Sequence, residues 1–234
     1  IAPSVALALG SVAGIGAARV ATSHYSVIVR DSAQMMIAGP ALVEQASLGG
    51  HAKEELGHAD IHTSNGAIDD AVDTEAEAFD RAKQFLSYLP TNVDEHAPRV
   101  LTGDDPARRE ESLISIVPHE PRRVYKMRKV INAVFDKDSF FEIGEGWGRS
   151  IITGLARIDG YPVAVFAEDG YIYGGAWTSD GCRKLIRLLD LASTFHLPVV
   201  HLEDCPGFLI GKESEENATI RYGSQALAAL GQLT

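Results

Sequence analysis

Residues 4–21 read SVALALGSVAGIGAARVA, and this run decides the fold. Ser4 to Leu9 is apolar without alternation, as expected of a strand buried on both faces in a parallel sheet. A glycine turn follows, Gly10-Ser11-Val12-Ala13-Gly14-Ile15-Gly16, and then a small-residue helix through Ala21. Strand, turn and helix in that order form the first unit of a layered α/β fold.

The same rhythm continues along the chain. Tyr25 to Val29 (YSVIV) is a second buried strand, and Met35 to Ala38 a short third one, stopped by Gly39-Pro40 with a helix (Ala41 to Ser47) behind it. Asp69 to Tyr88 reads as a helix, with acids early (Asp69, Asp70, Asp73, Glu75, Glu77) and Arg81 and Lys83 later, the polarity the helix dipole favours. Val72, Ala76, Phe79, Leu86 and Leu89 mark its buried side. From Leu89 to Pro121 the prolines 90, 98, 106, 118 and 121 indicate a connector. Beyond it come a helix (Val124 to Phe135), a strand (Ile151 to Ile158) and its hairpin partner (Tyr161 to Ala167) across Asp159-Gly160. Then follow a helix (Arg183 to Phe195, with Leu185, Ile186, Leu188, Leu189 and Ala192 inward) and a strand, Pro198 to Leu202. That strand runs into Glu203-Asp204-Cys205-Pro206-Gly207-Phe208. The expected organisation is two α/β domains, residues 1–95 and 122–234, joined by a linker over 96–121.

Composition narrows the function. The 234 residues are 45% hydrophobic and 23% charged, ordinary for a folded protein. A formal net charge of -11 argues against nucleic acid and against anionic lipid as partners. It leaves room for an anionic small molecule held by local amides. Ile1 to Ala18 carries no charge, but Pro3, Gly10, Gly14 and Gly16 interrupt it, and it lacks a basic start. It is therefore read as neither a membrane span nor a secretory signal. With Ile1 first and Thr234 last, the chain is expected to be a segment of a longer protein. Cys182 and Cys205 fit free thiols in a reducing compartment, cytoplasm or mitochondrial matrix.

Most familiar catalytic sets are missing. There is no G-x-S-x-G elbow and no G-x-x-x-x-G-K-[ST] loop, and Gly14-Ile15-Gly16 does not extend to G-x-G-x-x-G. His51, His58, Asp60 and His62 cluster without a glutamate placed for zinc hydrolysis, so no metal is expected. His201, on an apolar strand, reads as a satisfied core histidine. The glycine turn is more informative. Free amide N–H groups at a helix start can hold a phosphate or a developing enolate oxygen; the competing reading is close strand–helix packing. Ala38-Gly39-Pro40 is a second turn of that kind, or an ordinary Gly-Pro helix start. Two such turns in neighbouring units have the layout of an oxyanion hole.

Ordered blocks add a resemblance to these readings. Gly10 to Ile15, Ile28 to Asp31, Ile37 to Pro40, Glu54 to Ala59 and His62 to Gly66 run in the order seen in biotin-dependent carboxyltransferases. Phe85 to Pro90 (FLSYLP), Asn132 to Ile143 (NAVFDKDSFFEI), Asp204 to Leu209 (DCPGFL) and Ile220 to Gly223 continue it. The chain resembles the β (carboxyltransferase) subunit of an acyl-CoA carboxylase of the propionyl-CoA type. The resemblance implies two crotonase-like domains, the later part of the first and the first half of the second. It implies acyl-CoA on the first domain and carboxybiotin on the second domain of a neighbouring subunit, usually in a hexamer. Biotin would arrive on a partner, the biotin carboxylase or biotin carboxyl carrier subunit.

Carried onto this sequence, the resemblance places backbone donors at Gly14, Ile15, Gly16 and Gly39. It also implies substrate or biotin contacts at Ala38, Pro40, Pro206, Gly207 and Phe208, with the biotin-side hole past Thr234. Gly14-Ile15 stands where Gly-Gly is common, His58 where a second glycine is usual, and Gly181 where a lysine is common. Isoleucine does not take positive φ, so the donor register is open by one residue. The chemistry so implied is carboxyl transfer through an enolate, with no side-chain base. Alternatives are a malonyl-type decarboxylase or transcarboxylase on the same fold, and a non-catalytic assembly subunit. An enoyl-CoA hydratase would want a carboxylate near the glycine helix, and Gly14 to Arg30 contains none.

Overall fold

The computed structural model describes residues 1–120 and 123–233. The domain boundary expected at 121/122 falls outside the described residues, as does Thr234. The chain divides into two compact units, Pro3–Leu86 and Ser87–Thr234 with Ile1–Ala2.

In the first unit the elements are β1 (Val5–Ala8), β2 (Ser11–Ala13), α1 (Ile15–Ala21), β3 (Tyr25–Val29), β4 (Gln34–Met36), α2 (Pro40–Gln45), α3 (Lys53–Gly57), α4 (Ala59–Ser64), β5 (Asp70–Val72) and α5 (Glu75–Ser87). β1, β3 and β5 form a parallel sheet in the order β1-β3-β5, and β2 and β4 a separate parallel pair. Every residue of β3 is buried, Ser26 among them, as expected of a mainly apolar strand at the centre of the sheet. Ser11–Ala13, expected as turn, is a strand registered on Gln34–Met36, and Ser11 Oγ donates to Gln34 Oε1 at 2.5 Å.

The expected helix over Asp69–Tyr88 is shorter: residues 70–72 are strand β5. The acids there have partners on β3 that a local helix pattern does not reveal. Asp69, buried, accepts from Ser26 N (2.8 Å) and Ser26 Oγ (2.9 Å). Asp70 accepts from Tyr25 Oη and from Arg81, each at 2.5 Å. Burial raises the Tyr25 hydroxyl far above its usual range, Asp70 adding to this and Arg81 opposing it. The buried face of α5 is Ala78 and Phe85, Phe85 stacking on Tyr25 at 4.8 Å. Phe79 and Leu86, expected inside, are exposed.

The second unit holds α6 (Leu113–Ile116), α7 (Met127–Val134), β6 (Phe141–Glu142), β7 (Ile151–Ile158), β8 (Tyr161–Glu168), a 3-10 turn (Tyr173–Gly175), α8 (Ser179–Thr194), β9 (Val199–Leu202), α9 (Lys212–Glu216) and α10 (Thr219–Gly231). Its sheet runs β6-β7-β8-β9, antiparallel except for the β8–β9 pair. The β7–β8 hairpin closes at Asp159 (φ 50) and Gly160 (φ 75), the two positive-φ positions of a tight two-residue loop. One sheet face meets α7: Met127, Ile131 and Phe135 pack on Ile152, Ala156, Val163 and Val165. α8 buries Leu185, Leu188, Leu189 and Ala192; Ile186, expected inside with them, is half-buried.

The proline-rich stretch before α7 is tied to this unit. Arg157, 5% exposed, donates to Gly160 O (2.9 Å), Ser87 O (2.7 Å) and Pro98 O (3.4 Å), and its guanidinium lies 4.6 Å from the Tyr88 ring centroid. Val100 N donates to Gly160 O at 3.1 Å. Asp136 accepts from Gly160 N (2.7 Å), Asp159 N (2.9 Å) and Thr102 Oγ1 (3.1 Å).

Candidate functional site

The first unit offers main-chain donors at the carboxyl ends of β2 and β4, the edge where open parallel sheets bind ligands. Gly14 sits at φ 59, ψ -126, a conformation open to glycine. Its N–H is not free: it donates to Met36 O (3.2 Å) and Ile37 O (3.1 Å). That bond fixes the direction of the chain into α1, whose first internal bond is Ala18 N to Gly14 O at 3.1 Å. The N–H groups of Ile15 and Gly16 precede any intrahelical acceptor and have no partner among the described residues. Ile15 is helical, so the positive φ belongs to Gly14 alone within this turn.

On the neighbouring strand the chain leaves β4 through Ile37 and Ala38 to Gly39, which is extended (φ -70, ψ 162) and starts α2 with Pro40 at its first position. Gly39 O accepts from Leu42 N (3.0 Å) and Val43 N (3.3 Å), while its own N–H has no partner among the described residues. A Cβ at Gly39 would meet nothing within 4 Å, so packing does not demand glycine there. Ile15 and Ile37 flank these turns 77% and 95% exposed. Together the two strand ends present open donors within an apolar rim.

The residues expected at a biotin contact lie in the second unit, on the loop after β9. Gly207 has φ 118, and its N–H donates to Cys205 Sγ at 3.2 Å. Trp177 N donates to Gly207 O and Leu209 N to Trp177 O, each at 3.0 Å. Phe208 is half-buried: its ring meets Trp177 edge-on at 6.0 Å, and a Cβ on Gly223 would fall 2.3 Å from it. Pro206 and Gly207 are exposed. A cavity of about 430 Å³, lined by Ser150, Thr178, Asp180 and Thr219 among others, reaches Leu209 just past this loop.

Sequence reasoning missed what grips that loop. Glu168, at the end of β8, is 1% exposed and accepts from Trp177 Nε1 (3.0 Å), His201 Nε2 (2.8 Å) and Asp204 N (3.0 Å). His201 also stacks on Phe166 at 3.9 Å, which is how a core histidine is satisfied. The available signal was the parallel pairing of two apolar runs, YPVAVFAE and VVHL, which sets Phe166 opposite His201. Burial pushes the Glu168 carboxyl up, but His201, the Asp204 N–H and Trp177 outweigh it and hold it below the ordinary 4.5. A depressed folded-state pKa stabilises the fold above the unfolded value, and that stabilisation is lost as pH falls through the folded one. Melting temperature should therefore drop below about pH 4.5, more steeply than in Glu168→Gln; parallel curves would contradict this.

The other singled-out residues have structural partners. His51 pairs with Glu55 at 3.4 Å, His58 Nδ1 accepts from Asp60 N at 3.3 Å, and His62 Nε2 bonds Met35 O. Gly181 lets the start of α8 close on Ser150 and Thr178, whose Oγ atoms would both lie 3.1 Å from a Cβ. Cys182 is buried, which pushes its thiol up to about 12, with Cys205 adding to the effect. No described helix is long and apolar enough to cross a membrane.

Residues 2–234 match the family model described as the carboxyl transferase domain. The propionyl-CoA carboxylase carboxyltransferase subunit of Haloferax mediterranei is 34% identical over 100% of this chain and 46% of its own length. The methylmalonyl-CoA decarboxylase subunit alpha of Veillonella parvula is 32% identical over the same shares. Transcarboxylase 12S, crystallised as a hexamer with hydrolysed methylmalonyl-CoA bound, superposes with a TM-score of 0.93 at 28% identity, covering 100% of this chain and 46% of that one. The chain thus spans about half the length of the relatives it matches. Its two α/β units are those of the crotonase-like carboxyltransferase fold. With both amide turns in place and the match running nearly end to end, the chain belongs to the carboxyl transferase domain family.

Proposed function

We propose that this chain carries the acyl-CoA side of a biotin-dependent carboxyltransferase acting on a short acyl-CoA such as propionyl-CoA. The observation that carries this reading is the Gly14 turn, which ties its own N–H to β4 and leaves those of Ile15 and Gly16 open. Those two donors, with Gly39 N–H on the adjacent strand end, bind the thioester oxygen and stabilise the enolate formed when the α-proton leaves. One such donor in a water-poor site is worth about 3 kcal/mol in the transition state. Ile15 and Ile37 keep water from the acyl chain, and the bare face of Gly39 lets the thioester approach the backbone; Ala38 and Pro40 shape that approach. Carboxybiotin, borne by a biotin carboxyl carrier partner, supplies the carboxyl group and the base. Exposed Pro206 and Gly207, with Phe208 behind them, receive it. The protein acts as a homo-oligomer, a hexamer, in cytoplasm or mitochondrial matrix.

The test is transfer of label from bicarbonate to propionyl-CoA by the full-length protein with its biotin carboxylase and carrier partners. Carrier-dependent labelling of the acyl-CoA is the expected result. Absence of both turnover and calorimetric acyl-CoA binding would leave an assembly subunit instead. The likeness to a methylmalonyl-CoA decarboxylase subunit favours one second reading, transfer in the opposite direction. It is assayed as carrier-dependent loss of carboxylate from methylmalonyl-CoA.

A further inference from the structure

We propose that Glu168 is the positioning residue of the Asp204–Phe208 loop, setting it through the Asp204 amide and through Trp177. The proposal rests on the reading that Pro206-Gly207-Phe208 faces carboxybiotin. Oε2 takes the Asp204 N–H at 3.0 Å, fixing the entry to the loop. Oε1 takes the Trp177 indole N–H at 3.0 Å, and the Trp177 backbone brackets the exit, donating to Gly207 O and accepting from Leu209 N. Entry and exit are thereby held by the two oxygens of one side chain.

The surroundings make that carboxylate rigid. His201 takes Oε1 from the side at 2.8 Å. Gly175, at φ 80, brings the backbone so close that a Cβ would lie 3.0 Å from both Asp204 O and Glu168 Cβ. Tyr125 Oη holds the Asp204 carboxylate at 2.7 Å. By contrast the outer face of Gly207 is bare, with nothing within 4 Å of where a Cβ would stand. A buried carboxylate is unfavourable unless its acceptors are filled, and here three donors, one from Trp177 and two from the stretch 201–204, fill them. Packing alone would be met by an apolar side chain. A carboxylate that joins both ends of an exposed loop serves the placement of that loop.

The test uses the full-length protein with its biotinylated carrier and propionyl-CoA, varying each substrate in turn. Glu168→Gln should raise KM for the carrier about tenfold and leave KM for propionyl-CoA within twofold. Trp177→Phe removes one donor and should raise the carrier KM about threefold with the same selectivity; it decides the matter alone if Glu168→Gln does not fold. Gly207→Ala, which cannot keep φ 118, is the control for the underlying reading and should raise the carrier KM at least tenfold. If Gly207→Ala leaves that KM unchanged, the loop does not face biotin and the reading fails. If it responds while folded Glu168→Gln and Trp177→Phe stay within twofold, or impair both substrates equally, the positioning role is overturned.

Discussion

Replacing Ile15 with proline is expected to lower kcat for carboxyl transfer by about 10²–10³-fold, with the melting temperature within a few degrees of the parent. Proline is tolerated at the first position of a helix because the N–H it lacks has no intrahelical partner. Ile15 occupies that position in α1, and its side chain is 77% exposed, so little packing is lost. Gly14, at ψ -126, is also already outside the helical region that a following proline disfavours. The substitution therefore keeps an apolar residue at the rim and removes the main-chain donor of residue 15. The measurement is steady-state carboxylation beside a thermal melt; retention of more than a third of kcat by a folded variant would end the oxyanion assignment at this turn.

Arg157→Met should give the largest loss of stability, about 3–5 kcal/mol, seen as a melting temperature lower by roughly 10 °C. Methionine keeps most of the volume but removes the guanidinium donor from the carbonyls of Ser87 and Pro98 and leaves Gly160 O with Val100 N–H alone. The cation over the Tyr88 ring goes as well. Arg157→Lys restores the charge but not the fork, and should recover less than half of the loss. Denaturant melts of the two variants check this, and a Met variant within 1 kcal/mol of the parent would contradict it.

The sequence was most legible where short-range signals coincide with burial. Val5–Ala8 and Tyr25–Val29 are β1 and β3 because mainly apolar runs suit a parallel sheet, although β1, at the sheet edge, is half-buried where β3 is buried throughout. Asp159-Gly160 is the hairpin turn for the reason its residue types suggest. Legibility failed where a distant partner decides. Asp69 and Asp70 look like the first turn of an acidic helix, yet Ser26, Tyr25 and Arg81 draw them to a strand. The helix that follows turns Ala78 and Phe85 inward in place of Phe79 and Leu86, because Phe85 stacks on Tyr25. At the candidate site, the glycine turns were visible as composition. Which amides stay open was not, since Gly14 N–H is taken by carbonyls more than twenty residues away. Glu168 was hidden for a similar reason: two of its three donors, on His201 and Asp204, lie more than thirty residues away.

The tether from Gly14 to the end of β4 has one more consequence. Because strand register rather than any side chain aims the open amides, the identity of residue 15 is free to drift without disturbing them. A saturation library at that codon should tolerate other apolar residues, lose activity moderately at charged ones that wet the acyl chain, and show its deepest notch at the imino acid.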